Sequence, residues 1–236
     1  MEKSNQGKLL RLFGYFVEDY FMWSTILNKL KSLANPENAK GMARFGIKPK
    51  NAYGISIPNI RKIARETGKN HELAKELWAS GIHEAKILAS MIDDSLLVTA
   101  KQMDKWIRDF DSWDICDEVC LNLFVKIPCA YEKAMEWTMR KKEFEKRAGF
   151  ALMATLAWRD KNAENKKFLS FLPLIEKMAT DERNYVKKAV NWALRQIGKR
   201  NKILKKEAVK TAKKIQKINS KSAKWIANDA IRELKQ

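Results

Sequence analysis

The chain repeats one pattern along nearly its whole length: a segment of about ten to fifteen residues with apolar positions three and four apart, then a short break. No segment alternates apolar and polar residues over a useful length, so strands are not expected and the fold class is all-α. Among the helical segments are HELAKELWAS, SWDICDEVCLNLFVKI, EFEKRAGFALMATLAW, ERNYVKKAVNWALRQIGK and KILKKEAVKTAKKIQKI. Helices of this length on short links pack antiparallel to their neighbours, and a long series of such pairs builds an α-solenoid. The units run to roughly 40 residues, which fits HEAT-like pairs and no crisp tetratricopeptide or ankyrin consensus. No linker divides the sequence, so residues 1–236 read as a single domain.

Local signals agree with this pattern. Asn35 and Pro36 supply a cap and a first-turn proline, Pro58 starts another helix, and Asn70 caps a helix that stops at Gly81. Between the first two, GIKPKNAYGIS is the least helical stretch, a loop or short hairpin presenting Lys48, Lys50 and Tyr53. The N-terminal MEKSNQGKLLRLFGYFVEDYFMW reads as a helix and not a signal peptide: Arg11, Glu18 and Asp19 interrupt or follow its apolar run, and no small-residue cleavage site closes it.

The charge balance narrows the partners. There are 47 Lys+Arg against 28 Asp+Glu, a net charge of +19 spread through most of the chain, so a polyanion is expected. Without an apolar run of about 18 residues or a lipidation signal, nucleic acid is favoured over a membrane. Arg195 to Gln236 carries fourteen Lys+Arg and three acids, either a solvated face or a phosphate-tracking surface. Cys116, Cys120 and Cys129 are an odd number in a chain with 45% hydrophobic residues, which predicts free thiols and a cytoplasmic location. His71 and His83 lie too far from them for ligand spacing, so no metal site is expected.

One stretch stands apart chemically. In SWDICD, residues four apart share a helix face, so Trp113 and Asp117 stand one above the other, with Cys120 and Phe124 continuing the row. Asp114 belongs to the first turn, after Asp111 or Ser112 as cap, where the helix dipole favours a carboxylate. Asp117 sits a turn too late for that role. An acid in a row of Trp, Cys and Phe is either partnered by a buried cation, with Arg147 the structural candidate, or held for chemistry. Trp113 and Trp192 also have two readings, core or ligand-facing, in a chain with eight tryptophans. Trp192 lies to one side of the stripe Val186, Val190, Ala193 and Ile197, together with Tyr185, Lys188 and Arg195, a position that suits a cleft wall.

SWDICD, KRAGFALMATLAW with Arg147, YVKKAVNWALRQIGKRN with Trp192, and MARFGIKPKNAYGISIPNIRK near the front resemble the DNA alkylation repair family of HEAT-like repeat DNA glycosylases. The likeness covers most of the chain after about residue 25. It implies a C-shaped α-solenoid that holds double-stranded DNA in a basic concave cleft. There it would hydrolyse the N-glycosidic bond of N3- or N7-alkylated purines. Since an open concave surface already supplies a whole binding site, a monomer is expected. Carried over, Trp113 and Trp192 would pack against the lesion nucleotide, Asp117 would be the catalytic carboxylate, and Arg147 would bind the DNA backbone nearby. Arg44, Phe45, Tyr185, Lys188 and Arg195 complete the expected DNA-facing set. The residue types suit the chemistry, because an alkylated purine is already cationic and leaves without a general acid, so one carboxylate beside the developing oxocarbenium ion suffices and the chemistry that the resemblance implies requires no cofactor. Three departures stand out: Phe45 where the glycosylases carry tyrosine, Ser56 and Ile57 where a polar pair is expected, and Asn184 and Tyr185 in place of an aromatic pair. The family also includes members that bind branched DNA without excising bases, which is the alternative reading. A HEAT-type protein scaffold is a third, disfavoured by the +19 charge.

Overall fold

The computed structural model describes residues 22–47 and 51–235. The N-terminal segment 1–21, Lys48 and Lys50 therefore lie outside the described residues. Among the described residues there are helices, turns and loops and no strand, and the described part of the stretch before Pro58 is loop. The chain divides into two compact units, Met1–Asp94 and Ser95–Gln236.

The first unit holds α1 (helical at 22–32), α2 (Pro36–Met42), α3 (Ile57–Thr67), α4 (His71–Ala79) and α5 (His83–Ile92). Its helix starts are those the sequence marks. Asn35 Oδ1 accepts from the Asn38 amide at 3.0 Å, Asn70 Oδ1 accepts from the Leu73 amide at 3.0 Å, and Pro58 sits in the first turn of α3. The loop before α3 is held by a carboxylate from α5. Glu84, 1% exposed, accepts from the amides of Tyr53 at 2.9 Å, Gly54 at 2.6 Å and Ile55 at 3.2 Å. Three backbone donors replace the water this buried acid gives up, so the loop and α5 specify each other. Gly54 is required there: at φ +73° a Cβ would lie 2.2 Å from the Asn35 carbonyl oxygen.

The second unit contains α6 (Ala100–Arg108), α7 (Trp113–Asn122), α8 (Ala130–Trp137), α9 (Glu143–Arg159), α10 (Asn165–Leu169), α11 (Leu172–Met178), α12 (Asn184–Gly198), α13 (Lys202–Gln216) and α14 (Lys221–Lys235). Hydrogen bonds at a nearly constant sequence offset show how they stack. Tyr185 donates to Glu143 42 residues before it, Arg200 donates to the Ala157 carbonyl 43 before it, and Asn191 donates to Asp229 38 after it. Starts meet starts and ends meet ends, so α9, α12 and α14 lie parallel, one repeat apart. Asp117 of α7 bonds Arg147 near the start of α9 in the same sense. The alternate helices α6, α8, α10 with α11, and α13 form the second layer, where Asp104 of α6 accepts from Lys133 at 2.6 Å and from Trp137 Nε1 at 2.8 Å.

Helix α9 occupies the centre and is buried almost all round, from Glu145 to Ala157. It approaches α8 backbone to backbone at Gly149, where a Cβ would stand 2.7 Å from the Thr138 amide nitrogen and 2.8 Å from the Ala134 carbonyl oxygen. Helix α12 turns Val186, Val190, Ala193 and Ile197 inward, all fully buried, and leaves Lys188, Trp192 and Arg195 on its other side. Helix α13 packs inward through Leu204, Ala208, Ala212 and Ile215, also fully buried.

Candidate functional site

Three parallel helices, α7, α9 and α12, assemble the candidate residues. Ser112 precedes α7 in an extended N-cap conformation (φ −150°, ψ 159°), and Asp114 lies in the first turn. The Ser112 hydroxyl makes no capping bond; it is buried with no hydrogen-bond partner among the described residues. Asp117 follows one turn into the helix. From one turn into α9, Arg147 reaches it with two parallel bonds, Nε to Oδ1 at 3.0 Å and Nη2 to Oδ2 at 2.7 Å. The remaining guanidinium nitrogen, Nη1, donates to the Tyr185 carbonyl oxygen at 2.7 Å, at the start of α12. Tyr185 in turn donates its amide to Glu143 and packs its ring 5.4 Å from that of Phe144. One planar fork thus sets the register of three successive repeats.

Exposure divides the pair unequally. The Arg147 side chain is 6% exposed and that of Asp117 is 22% exposed. Both side chains are largely buried, and the acid keeps the larger opening to solvent. Burial pushes the Asp117 carboxyl above the usual 3.8, and the charge and hydrogen bonds of Arg147 oppose that shift. For Arg147 burial alone would lower the pKa, but the charge of Asp117 outweighs it and holds the guanidinium above its ordinary value. Beside Asp117 in the chain, burial pushes the Cys116 thiol well up, with Cys120 adding to the effect, so Cys116 stays a neutral thiol and does not compete for Arg147. All three cysteines are free thiols.

Trp113 and Trp192 are both half-buried, with part of each indole left open. Lys188 is exposed. Arg195 is turned onto α14, where it bonds Glu233 and lies 3.6 Å from Asp229, so its charge is answered within the protein. Arg147 gives three of its five N–H groups to protein oxygens. Arg44 and Phe45 belong to the first unit, in the tight turn Ala43–Phe45, where both are exposed, Phe45 to 71%. The structure adds Glu143, Asp229 and Glu233 as partners that no local motif marks; the signal for them is an acid 38 to 42 residues from a polar residue of α12. Among the described residues no cluster of His, Cys, Asp and Glu is placed to hold a metal ion. None of the described helices is long and apolar enough to cross a membrane.

Parallel stacking of helix pairs at a nearly constant offset, with a clamped carboxylate between successive repeats, defines a HEAT-like helical-repeat protein. The model of the DNA alkylation repair enzyme family matches residues 26–234. The chain belongs to that family. Among solved structures, one described as "a new family of proteins related to the HEAT-like repeat DNA glycosylases with affinity for branched DNA structures" superposes with a TM-score of 0.74 at 21% identity, covering 89% of this chain and 94% of that one. A designed armadillo repeat protein matches with a TM-score of 0.35 at 14% identity, over 75% of this chain and 92% of that one. Comparison with curated proteins finds no match.

Proposed function

We propose that this chain is a DNA glycosylase that releases N3- or N7-alkylated purines from duplex DNA, with Asp117 as its catalytic carboxylate. The observation that carries this reading is the unequal pair: a buried arginine fixes the plane of an acid that keeps a 22% opening to solvent. A carboxylate held in this way stabilises a cation without first reorganising, which is the property a transition state rewards. The alkylated purine brings its own positive charge. The C1′–N bond breaks with its electrons going to the base, the base leaves neutral, and the sugar becomes an oxocarbenium ion. Asp117 stabilises that ion, and a water adds to C1′ and releases its proton.

The half-buried indoles of Trp113 and Trp192 supply faces for the cationic nucleotide, an attraction of about 0.5 to 2 kcal/mol each. Arg147 is a positioning residue, acting through Asp117. The net charge of +19 supplies the affinity for duplex phosphate. A second reading, a binder of branched DNA without excision, is favoured by the description of the structural neighbour and by the missing hydroxyl at Phe45.

The test is release of methylated purines from alkylated duplex, with protein in excess, for the native chain, Asp117→Asn and Asp117→Glu, each shown to be folded by circular dichroism. Release by the native protein that vanishes in Asp117→Asn while duplex affinity persists is the expected result. Equal release by Asp117→Asn would refute the carboxylate's role. No release by the native protein, with four-way junctions bound more tightly than linear duplex, would establish the second reading.

A further inference from the structure

Helix α13 carries a ridge of lysines on the side of the second unit away from Trp192 and Asp117, and we infer that this ridge binds the phosphate backbone of a second duplex segment. The inference rests on DNA as the partner proposed above and is independent of base excision. Lys202, Lys205, Lys206, Lys213 and Lys217 share the outward arc of α13 and line a shallow groove there. From Lys202 to Lys217 the helix rises about 22 Å, and a duplex of that length carries about 13 phosphates, one per roughly 1.7 Å.

Among the described residues no carboxylate forms an ion pair with these five lysines. The flanking Lys210 and Lys214 meet Glu207 and Glu176 only at 3.6 and 3.8 Å. On α12, by contrast, Arg195 is answered by two acids of α14. Like charges four residues apart repel, so this ridge costs the helix stability that a bound polyanion would return.

The chemistry of the ridge selects the kind of polyanion. It holds Val209 and no aromatic ring, so it offers no platform on which unpaired bases stack, and regular duplex backbone fits it better than single strands. An anionic bilayer fits less well, because the apolar face of α13 is buried in the fold and Ile203 is its one exposed large apolar side chain, too little to anchor a helix in lipid. Since α12 turns Lys188 and Trp192 outward on the opposite side, the unit presents two faces to DNA. A protein so built holds two duplex segments at once.

The experiment uses the full chain and undamaged duplexes: one duplex immobilised, a second one labelled in solution, and capture of the second through the protein. The native protein should bridge them, and capture resting on five phosphate contacts should follow a salt slope of about −4.5, weakening roughly 500-fold between 50 and 200 mM salt. The variant Lys202→Gln, Lys206→Gln, Lys213→Gln, Lys217→Gln should lose at least about tenfold in capture while its affinity for a single duplex stays within about twofold. All four side chains are exposed, and circular dichroism confirms the fold. Equal capture by the variant would overturn the inference, as would parallel loss of single-duplex affinity, which would make the ridge part of one continuous surface. Lysine-dependent binding to phosphatidylserine vesicles without bridging would reassign the ridge to membranes. Single-duplex binding without bridging by the native protein overturns this inference alone; no duplex binding at all overturns the proposed function with it.

Discussion

Replacing Asp117 by asparagine should destabilise the second unit more than replacing Arg147 by methionine, because the two partners are not equally enclosed. Asparagine keeps the shape of the acid but leaves a guanidinium that is 6% exposed without a counter-charge. Breaking a buried pair from one side costs about 3 to 5 kcal/mol, and the amide oxygen, which still accepts one donor, returns about 1 kcal/mol. A net loss of about 3 kcal/mol corresponds to a fall in Tm of about 6 to 12 °C for a unit of this size. In Arg147→Met the orphan is instead an acid that is 22% exposed and can draw on water, and methionine fills most of the vacated volume, so the loss should be about 1 to 2 kcal/mol. The double variant should lose less than the sum of the single losses, with a coupling of about 2 kcal/mol. Thermal melts of the four proteins at low and high salt measure all of this, and a buried pair should respond little to salt. A Tm for Asp117→Asn within about 2 °C of the native value, or strict additivity in the double variant, would refute the pairing argument. The same melts set the temperature at which the excision assay compares folded proteins.

Gly149→Ala should destabilise by about 1 to 2 kcal/mol, because the Cβ meets α8 backbone at 2.7 Å and the gain in helix propensity, about 1 kcal/mol, does not offset that overlap. Gly41→Ala, with nothing within 4 Å of its Cβ, should instead stabilise by up to about 1 kcal/mol; thermal melts that reverse this order would show the packing is misread. Glu84→Gln should cost about 1 to 3 kcal/mol and speed amide exchange at Tyr53, Gly54 and Ile55, and unchanged exchange there would mean that the carboxylate does not hold the loop. For Asp104, burial would raise the carboxyl, but hydrogen bonds from Lys133 and Trp137 outweigh it and hold the pKa below 3.8. A folded pKa below the unfolded one gives stability that is present above pH 3.8 and lost as the pH falls through the folded value. The Tm advantage of the native protein over Asp104→Asn should therefore shrink in acid; a constant advantage down to about pH 2 would contradict it.

The sequence alone determined that the chain is helical and where several of its helices begin, though NKKFLSFLPLIEKMA, which reads as one segment, forms two helices, α10 and α11. Asn35, Pro58 and Asn70 mark helix starts because capping and proline geometry are settled within a few residues. The inward stripe of α12 is legible for the same reason, since residues three and four apart share a face in any helix. Ser112 shows the limit of such reading: its backbone takes the cap conformation, but its hydroxyl is buried away from the donors it would bind. The dual reading of Asp117 needed the tertiary structure. Its partner lies 30 residues on, and the third bond of the fork ends at a carbonyl 38 residues further. Those offsets acquire meaning only when α7, α9 and α12 lie side by side in parallel. Packing also decided which member of the pair is the more enclosed, and that the lysines of α13 face away from Trp192. Short-range geometry fixes a helix and its faces, whereas the choice of which faces meet depends on burying apolar stripes from residues far apart in the chain.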